Sequence, residues 1–250
     1  IVVWGGSDRA WSMQGPDELL ALAAADPRHD REQLRALESS VTPSDLLIGI
    51  CTSGSTAEPK IVMHTHGNML RICHAYRPYM GIQPDERNYT GMPFFWLGGL
   101  NYNLLQIMFE GGAMVFAPTP RPEDVLEVVR REKVTRISLW PAQRVALLEA
   151  ARNRGVDVSF VRSGLFDPRD AEGNIVPLAR RGGMLGMTES FGPHGVAKND
   201  SILPPEKAGS AGRNLEGIER RIVDPETGRV LPPGQIGELQ IRGFSLMQGY

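Results

Sequence analysis

The chain has 250 residues, with 27 Lys and Arg against 29 Asp and Glu and a formal net charge of -2. So even a balance offers no general electrostatic grip on nucleic acid or an anionic membrane. Hydrophobic residues make up 41% and charged residues 22%, ordinary proportions for a globular protein with a substantial core, and the two cysteines supply neither a disulfide framework nor metal-ligand spacing and fit a reducing cytoplasm.

The opening Ile1-Val2-Val3-Trp4-Gly5-Gly6-Ser7-Asp8 has no basic region and no small-residue cleavage site, so it reads as a strand rather than a signal peptide. The longest apolar runs, such as residues 46–51, fall far short of the roughly 20 residues a membrane-spanning helix needs. Residues 46–51 are expected as a strand, followed by a Ser/Thr/Gly loop and a helix over 67–80. A strand over 88–93, a helix over 98–109, a strand over 113–117, a helix over 122–132, a strand over 135–139 and a helix over 141–154 continue the series. Strands alternating with helices predict an α/β fold with a mostly parallel sheet and flanking helices. From residue 208 the texture changes to short strands (218–223, 229–231, 236–242) joined by tight turns. The expected division is an α/β part over 1–207 and a small β-rich subdomain over 208–250.

The strongest chemical signal is Thr52-Ser53-Gly54-Ser55-Thr56-Ala57-Glu58-Pro59-Lys60, directly after the first expected strand. Gly54 allows close backbone approach, the hydroxyls and free N–H groups make an anion-binding nest, and Lys60 adds a mobile point charge suited to phosphate. A Walker A loop would need a second Gly where Pro59 stands and a hydroxyl where Ile61 stands. The loop is therefore not of the P-loop type. Gly186-Met187-Thr188-Glu189-Ser190 follows a short apolar segment, and Glu189 is a hard oxygen donor of the kind Mg²⁺ prefers. Pro93-Phe94-Phe95-Trp96-Leu97-Gly98-Gly99 runs from a strand end into a helix, and Gly237-Glu238-Leu239-Gln240-Ile241-Arg242-Gly243 closes the chain's β-rich part. His64 and His66 lie on alternate positions without a carboxylate or Cys partner, which favours local hydrogen bonding at a helix start over metal binding.

Taken together and in this order, these stretches resemble the adenylate-forming superfamily, which includes acyl-CoA synthetases, luciferases and peptide-synthetase adenylation domains. The Gly-Met-Thr-Glu form is more similar to acyl-CoA synthetases than to the Gly-Pro-Thr-Glu of peptide-synthetase domains. The resemblance implies an AMP-forming acid–thiol ligase: ATP and a carboxylic acid give acyl-AMP and pyrophosphate, and coenzyme A, the co-substrate, then displaces AMP. It makes Lys60, Thr188 and Glu189 the catalytic residues, with Glu189 on Mg²⁺. Nucleotide contacts fall to Thr52, Ser53, Gly54, Ser55, Thr56, Lys60, Gly164, Leu165, Leu185, Gly186, Met187 and Thr188, and the acid pocket to Trp96, Gly98 and Gly164. Its partner is a small-molecule carboxylic acid, fatty acids included. Departures from the family's pattern are Ala57 and Ile61 where Gly is common, Leu185 where many relatives stack Tyr on adenine, and Trp96 where His is common. Glu238 and Arg242 are expected to pair with each other. The family's ribose-binding Asp, hinge, small C-terminal domain and catalytic Lys have no counterpart here, so the chain is expected to be a part of the large domain and to turn over little alone. The alternatives left open are another adenylating ligase, luciferase-like or carrier-protein loading, and a non-catalytic nucleotide-binding relative.

Overall fold

A computed structural model describes residues 15–25, 30–52, 59–199 and 201–250. The first eight residues, expected as a strand, and the loop residues Ser53, Gly54, Ser55 and Thr56 lie outside the described residues. Two compact units divide the chain, Ile1–Asp45 and Leu46–Tyr250. The first holds helices α1 (Pro16–Ala25) and α2 (Arg31–Ser40), the latter started by the Asp30 side chain, which accepts from Glu32 N.

The second unit opens with β1 (Leu46–Thr52) and β2 (Lys60–Thr65), an antiparallel pair whose register sets Thr52 opposite Lys60. Strand β2 falls on residues that sequence reasoning left between the loop and the helix. Its inward positions include Val62 and His64, both with no exposed surface, and the polar imidazole hides the alternation that marks a half-buried strand. Helix α3 (His66–Met80) follows at once, started by a capping box in which Thr65 and Asn68 satisfy each other's main-chain N–H groups and stopped by Gly81 at φ 61°.

Strand β3 (Arg87–Thr90) is the centre of a parallel sheet with β4 (Ala113–Val115) on one side and β5 (Arg136–Ser138) on the other. Between β3 and β4 the chain forms a π-helix, Gly98–Leu105, that passes into α4 (Gln106–Phe109). Helices α5 (Pro122–Arg131) and α6 (Pro141–Asn153) both begin on Pro, where the missing N–H costs nothing. Val125, Leu126, Val128 and Val129 of α5 are buried in a core with Ile137, Leu147 and Leu165, each such side chain contributing about 2 kcal/mol. A second core surrounds α3, with Ile72, Cys73 and Tyr76 against Ile107, Phe191 and Leu215.

The α/β architecture is as expected, with the parallel pairings confined to this three-stranded sheet. The remaining strands pair antiparallel: β6 (Met184–Met187), β7 (Gly192–Val196) and β8 (Arg213–Asn214) in one small sheet, β9 (Ile218–Val223) and β10 (Glu238–Gly243) in another. Residues 229–231 form no strand beyond a single bridge from Val230 to Val223. Glu238 and Arg242 do not pair: four residues apart on one strand they are separated by about 13 Å. Arg242 instead reaches its register partner Glu219 on β9, at 2.6 Å. Among the described residues no helix is long and apolar enough to cross a membrane.

Candidate active site

The turn Thr188–Ser190 between β6 and β7 and the residue after it, Phe191, are held by hydrogen bonds to their carbonyls from three distant segments. His64 Nε2 donates to Thr188 O at 2.7 Å, Met247 N to Glu189 O at 2.8 Å, and Asn101 Nδ2 to Phe191 O at 2.6 Å. Ser190 Oγ, fully buried, closes the turn on Met187 O and Gly192 O. Phe191 sits at φ 51° with no exposed surface, its ring edge-on to His64 at 4.7 Å. A non-glycine residue in this region is strained, by about 1–2 kcal/mol, and burial of the ring and the bond to its carbonyl keep it there. Gly186 is required by a close approach: a methyl there would lie 2.4 Å from Gly192 O across the β6–β7 pair.

Lys60 and Glu189 converge on one group. The Lys60 ammonium lies 4.6 Å from the ring centroid of Tyr250, and the Tyr250 hydroxyl donates to Glu189 Oε1 at 3.2 Å. Tyr250 is delivered by a strap over residues 247–250. Gln248 N donates to Met63 O at 2.9 Å and Met63 N to Gly249 O at 3.0 Å, which adds the strap to the edge of β2. Burial holds the His64 imidazole below its ordinary value, against a smaller upward pull from its bond to Thr188 and from the Glu189 charge. Neutral His64 therefore carries its proton on Nε2, and Nδ1 is buried with no partner among the described residues.

Beside this turn opens a cleft of about 440 Å³. Residues 185–188, Trp96, Gly98, Asn101 and Tyr102 from the π-helix and its approach, and Tyr76 of α3 line it. Leu185, Met187 and Trp96 are partly exposed into it, and the Tyr76 hydroxyl donates to Met184 Sδ at 3.3 Å. Burial pushes the nearby Cys73 thiol up to about 12, so it stays protonated and offers no thiolate.

Trp96, Gly98, Leu185, Gly186, Met187 and Thr188 thus line one cleft, and Glu189, the residue after Thr188, meets Lys60 at Tyr250. Thr52 lies opposite Lys60 in the β1–β2 ladder. Gly164 and Leu165 are placed differently. A methyl on Gly164, whose φ is 84°, would lie 1.8 Å from Ile137 O, and the Leu165 side chain is fully buried in the core of the parallel sheet. Sequence reasoning missed Asn101 and Tyr250, and expected His64 to bond locally, whereas its partner lies 124 residues away.

The donor set suits magnesium better than a closed transition-metal site. Among the described residues no three His, Cys, Asp or Glu side chains gather around a common point, whereas Mg²⁺ is usually held by one or two carboxylates together with substrate phosphates. Glu189 keeps lone pairs beyond the one that accepts from Tyr250.

The profile of the AMP-binding enzyme family matches residues 10–250. The chain belongs to that family. A feruloyl-CoA synthase of Amycolatopsis is 31% identical over 220 residues, spanning 83% of this chain and 44% of that protein. The 4-coumarate–CoA ligase 4 of Arabidopsis thaliana is 28% identical over 233 residues, 88% of this chain and 40% of that one. Apo MatB from Rhodopseudomonas palustris superposes with a TM-score of 0.64 at 25% identity, over 84% of this chain and 41% of its own. The anthranilate CoA ligase AuaEII in complex with anthranoyl-AMP gives 0.63 at 24% identity, a likeness of fold. The chain spans less than half the length of these proteins.

Proposed function

We propose that the chain carries the nucleotide- and acid-binding part of an AMP-forming acid–thiol ligase, acting in the cytoplasm on a compact carboxylic acid. The observation that carries this reading is the meeting of Lys60 and Glu189 at Tyr250, with Glu189 directly following Thr188 of a cleft that residues 185–188 and Trp96 line. A carboxylate oxygen of the acid attacks the α-phosphorus of ATP, the bond to the bridging oxygen breaks, and pyrophosphate leaves. Coenzyme A then attacks the acyl carbon through sulfur, releasing AMP and giving up the thiol proton to solvent. The carboxylate is a weak nucleophile, so the protein contributes placement and charge stabilisation rather than proton transfer. Lys60, Thr52 and the hydroxyl-rich residues 53–56 bind the phosphates, with the Thr188 hydroxyl beside them. Glu189 holds Mg²⁺, which when bound neutralises charge on the phosphates and the leaving group. Leu185 covers the adenine by apolar contact, and Gly164 and Leu165 serve through main chain. Trp96, next to Gly98, fills the acid's side of the cleft and favours aromatic or short acids over long unbranched ones; the CoA ligases of feruloyl and coumaroyl type among the relatives agree with such a size. The division after residue 207 is kept as part of this proposal, with the β9–β10 pair as the core of the second part.

Exchange of labelled pyrophosphate into ATP, run on the full-length protein with a panel of acids, tests the reading. Acid-dependent exchange is expected, reduced by about a hundredfold or more in Lys60→Ala and Glu189→Ala, the usual cost of removing one charge-stabilising group. Exchange that ignores the acid, or that survives both substitutions, overturns it.

A further inference from the structure

Lys60 and Glu189 have opposite charges, and two such side chains at close range attract each other. Here both meet Tyr250 instead: the ammonium faces the ring at 4.6 Å and the carboxylate accepts from the hydroxyl at 3.2 Å. A ring face attracts a cation without neutralising it, and a phenol donates to a carboxylate without removing its charge. Tyr250 is itself 56% exposed, so its own packing does not place it. Main-chain bonds do: Met247 N to Glu189 O, Gln248 N to Met63 O and Met63 N to Gly249 O, at 2.8, 2.9 and 3.0 Å. The same strap therefore fixes the backbone of Glu189 and the side chain that meets it.

We infer that Tyr250 is a positioning residue that keeps Lys60 and Glu189 apart, each charged and aimed, so that the one remains available to phosphate and the other to a divalent cation. The inference rests on the roles proposed above for Lys60 and Glu189. It adds a neutral spacer, without which the two charges form an ion pair that a nucleotide must first break.

Zero-length carbodiimide coupling, read by peptide mass spectrometry without any nucleotide, tests the spacing directly. The Lys60–Glu189 cross-link is expected to rise about fivefold in Tyr250→Ala over the wild type, with Tyr250→Phe between them, on the scale of an exposed ion pair. Equal yields in the wild type and Tyr250→Ala, whether high or low, overturn the inference. Calorimetry with metal-free ATP gives a second arm, in which Tyr250→Ala is expected to weaken binding about two- to fivefold. That loss is expected to vanish when the substitution is made in Glu189→Gln, where Lys60 has no charge to collapse onto. A loss that persists there marks Tyr250 as merely structural and overturns the inference. Wild-type protein that does not bind ATP sinks the proposed function instead, and the cross-linking arm decides on Tyr250 by itself.

Discussion

His194 on β7 and His64 against the β6–β7 turn are both buried, and each has Nδ1 with no partner among the described residues. Burial holds the His194 imidazole below its ordinary value, with the Arg220 charge pushing the same way. Lowered folded-state values mean that in mildly acid solution the unfolded chain takes up protons that the folded one does not. Stability from these groups is then complete above the unfolded histidine value of 6.5 and falls as the pH drops from there towards the folded values. Urea unfolding is expected to show a plateau above about pH 7 and a decline from about 6.5 towards 5, at most about 1.4 kcal/mol per unit for each histidine. His194→Gln should flatten part of that decline, and a slope that it leaves unchanged would show that His194 takes no part. The charged partners Lys60 and Glu189 were legible as residue types in motif-like stretches. The residues that aim them were not, because a tyrosine near the chain's last turn or a histidine on a strand carries no spacing signal. Their roles exist only through contacts across 61 and 124 residues.

At the scale of elements, the helix boundaries that carry a mechanism in their residues were readable. Pro122 and Pro141 mark the starts of α5 and α6, and Gly81 the stop of α3. Strands β6, β7 and β8 were not readable, since an exposed β6, a β7 with two glycines and a proline, and a two-residue β8 show little period-2 pattern. The π-helix Gly98–Leu105 was read only as a helix. Its wider turn carries Asn101 and Asn103, both buried and both hydrogen-bonded, Asn103 Nδ2 to Gly98 O at 2.9 Å and Asn101 to the turn after Glu189. Such bulges recur at functional sites, and this one ties the cleft lining at Gly98 and Asn101 to the turn after Glu189. Asn101→Ala strands the Phe191 carbonyl and takes the acceptor from Gln106. A loss of about 1–3 kcal/mol in denaturant midpoint analysis is expected. A larger effect on pyrophosphate exchange than on stability would mark the tie as functional, and a variant as stable as the wild type would remove the bond from the account.

Across the Leu46–Tyr250 unit, the buried pair of Arg136 and Glu86 joins the parallel sheet to the end of α3. Both side chains are almost wholly enclosed, Arg136 reaches Met80 O and Ser163 Oγ, and Glu86 accepts from its guanidinium. Burying two charges is costly, so the pair is worth little against a well-packed apolar substitute, whereas removing one member leaves a charge stranded. Glu86→Gln is therefore expected to destabilise by about 3–5 kcal/mol in urea or thermal unfolding, and the double change Glu86→Leu with Arg136→Met by less. The reverse order would show that the pair, not its completeness, holds these elements together.

The strap that ends in Tyr250 has a consequence for synthesis. It bonds to Met63 and Glu189, and Asn68 reaches Phe244 O across 176 residues. As the polypeptide emerges from the ribosome, strand β2, the Thr-Glu turn and most of their packing partners are made first. The charged rim is completed only when residues 244–250 arrive to cap main-chain groups made long before. Contacts of such separation are slow to close, so closure of the rim is expected to come late in folding.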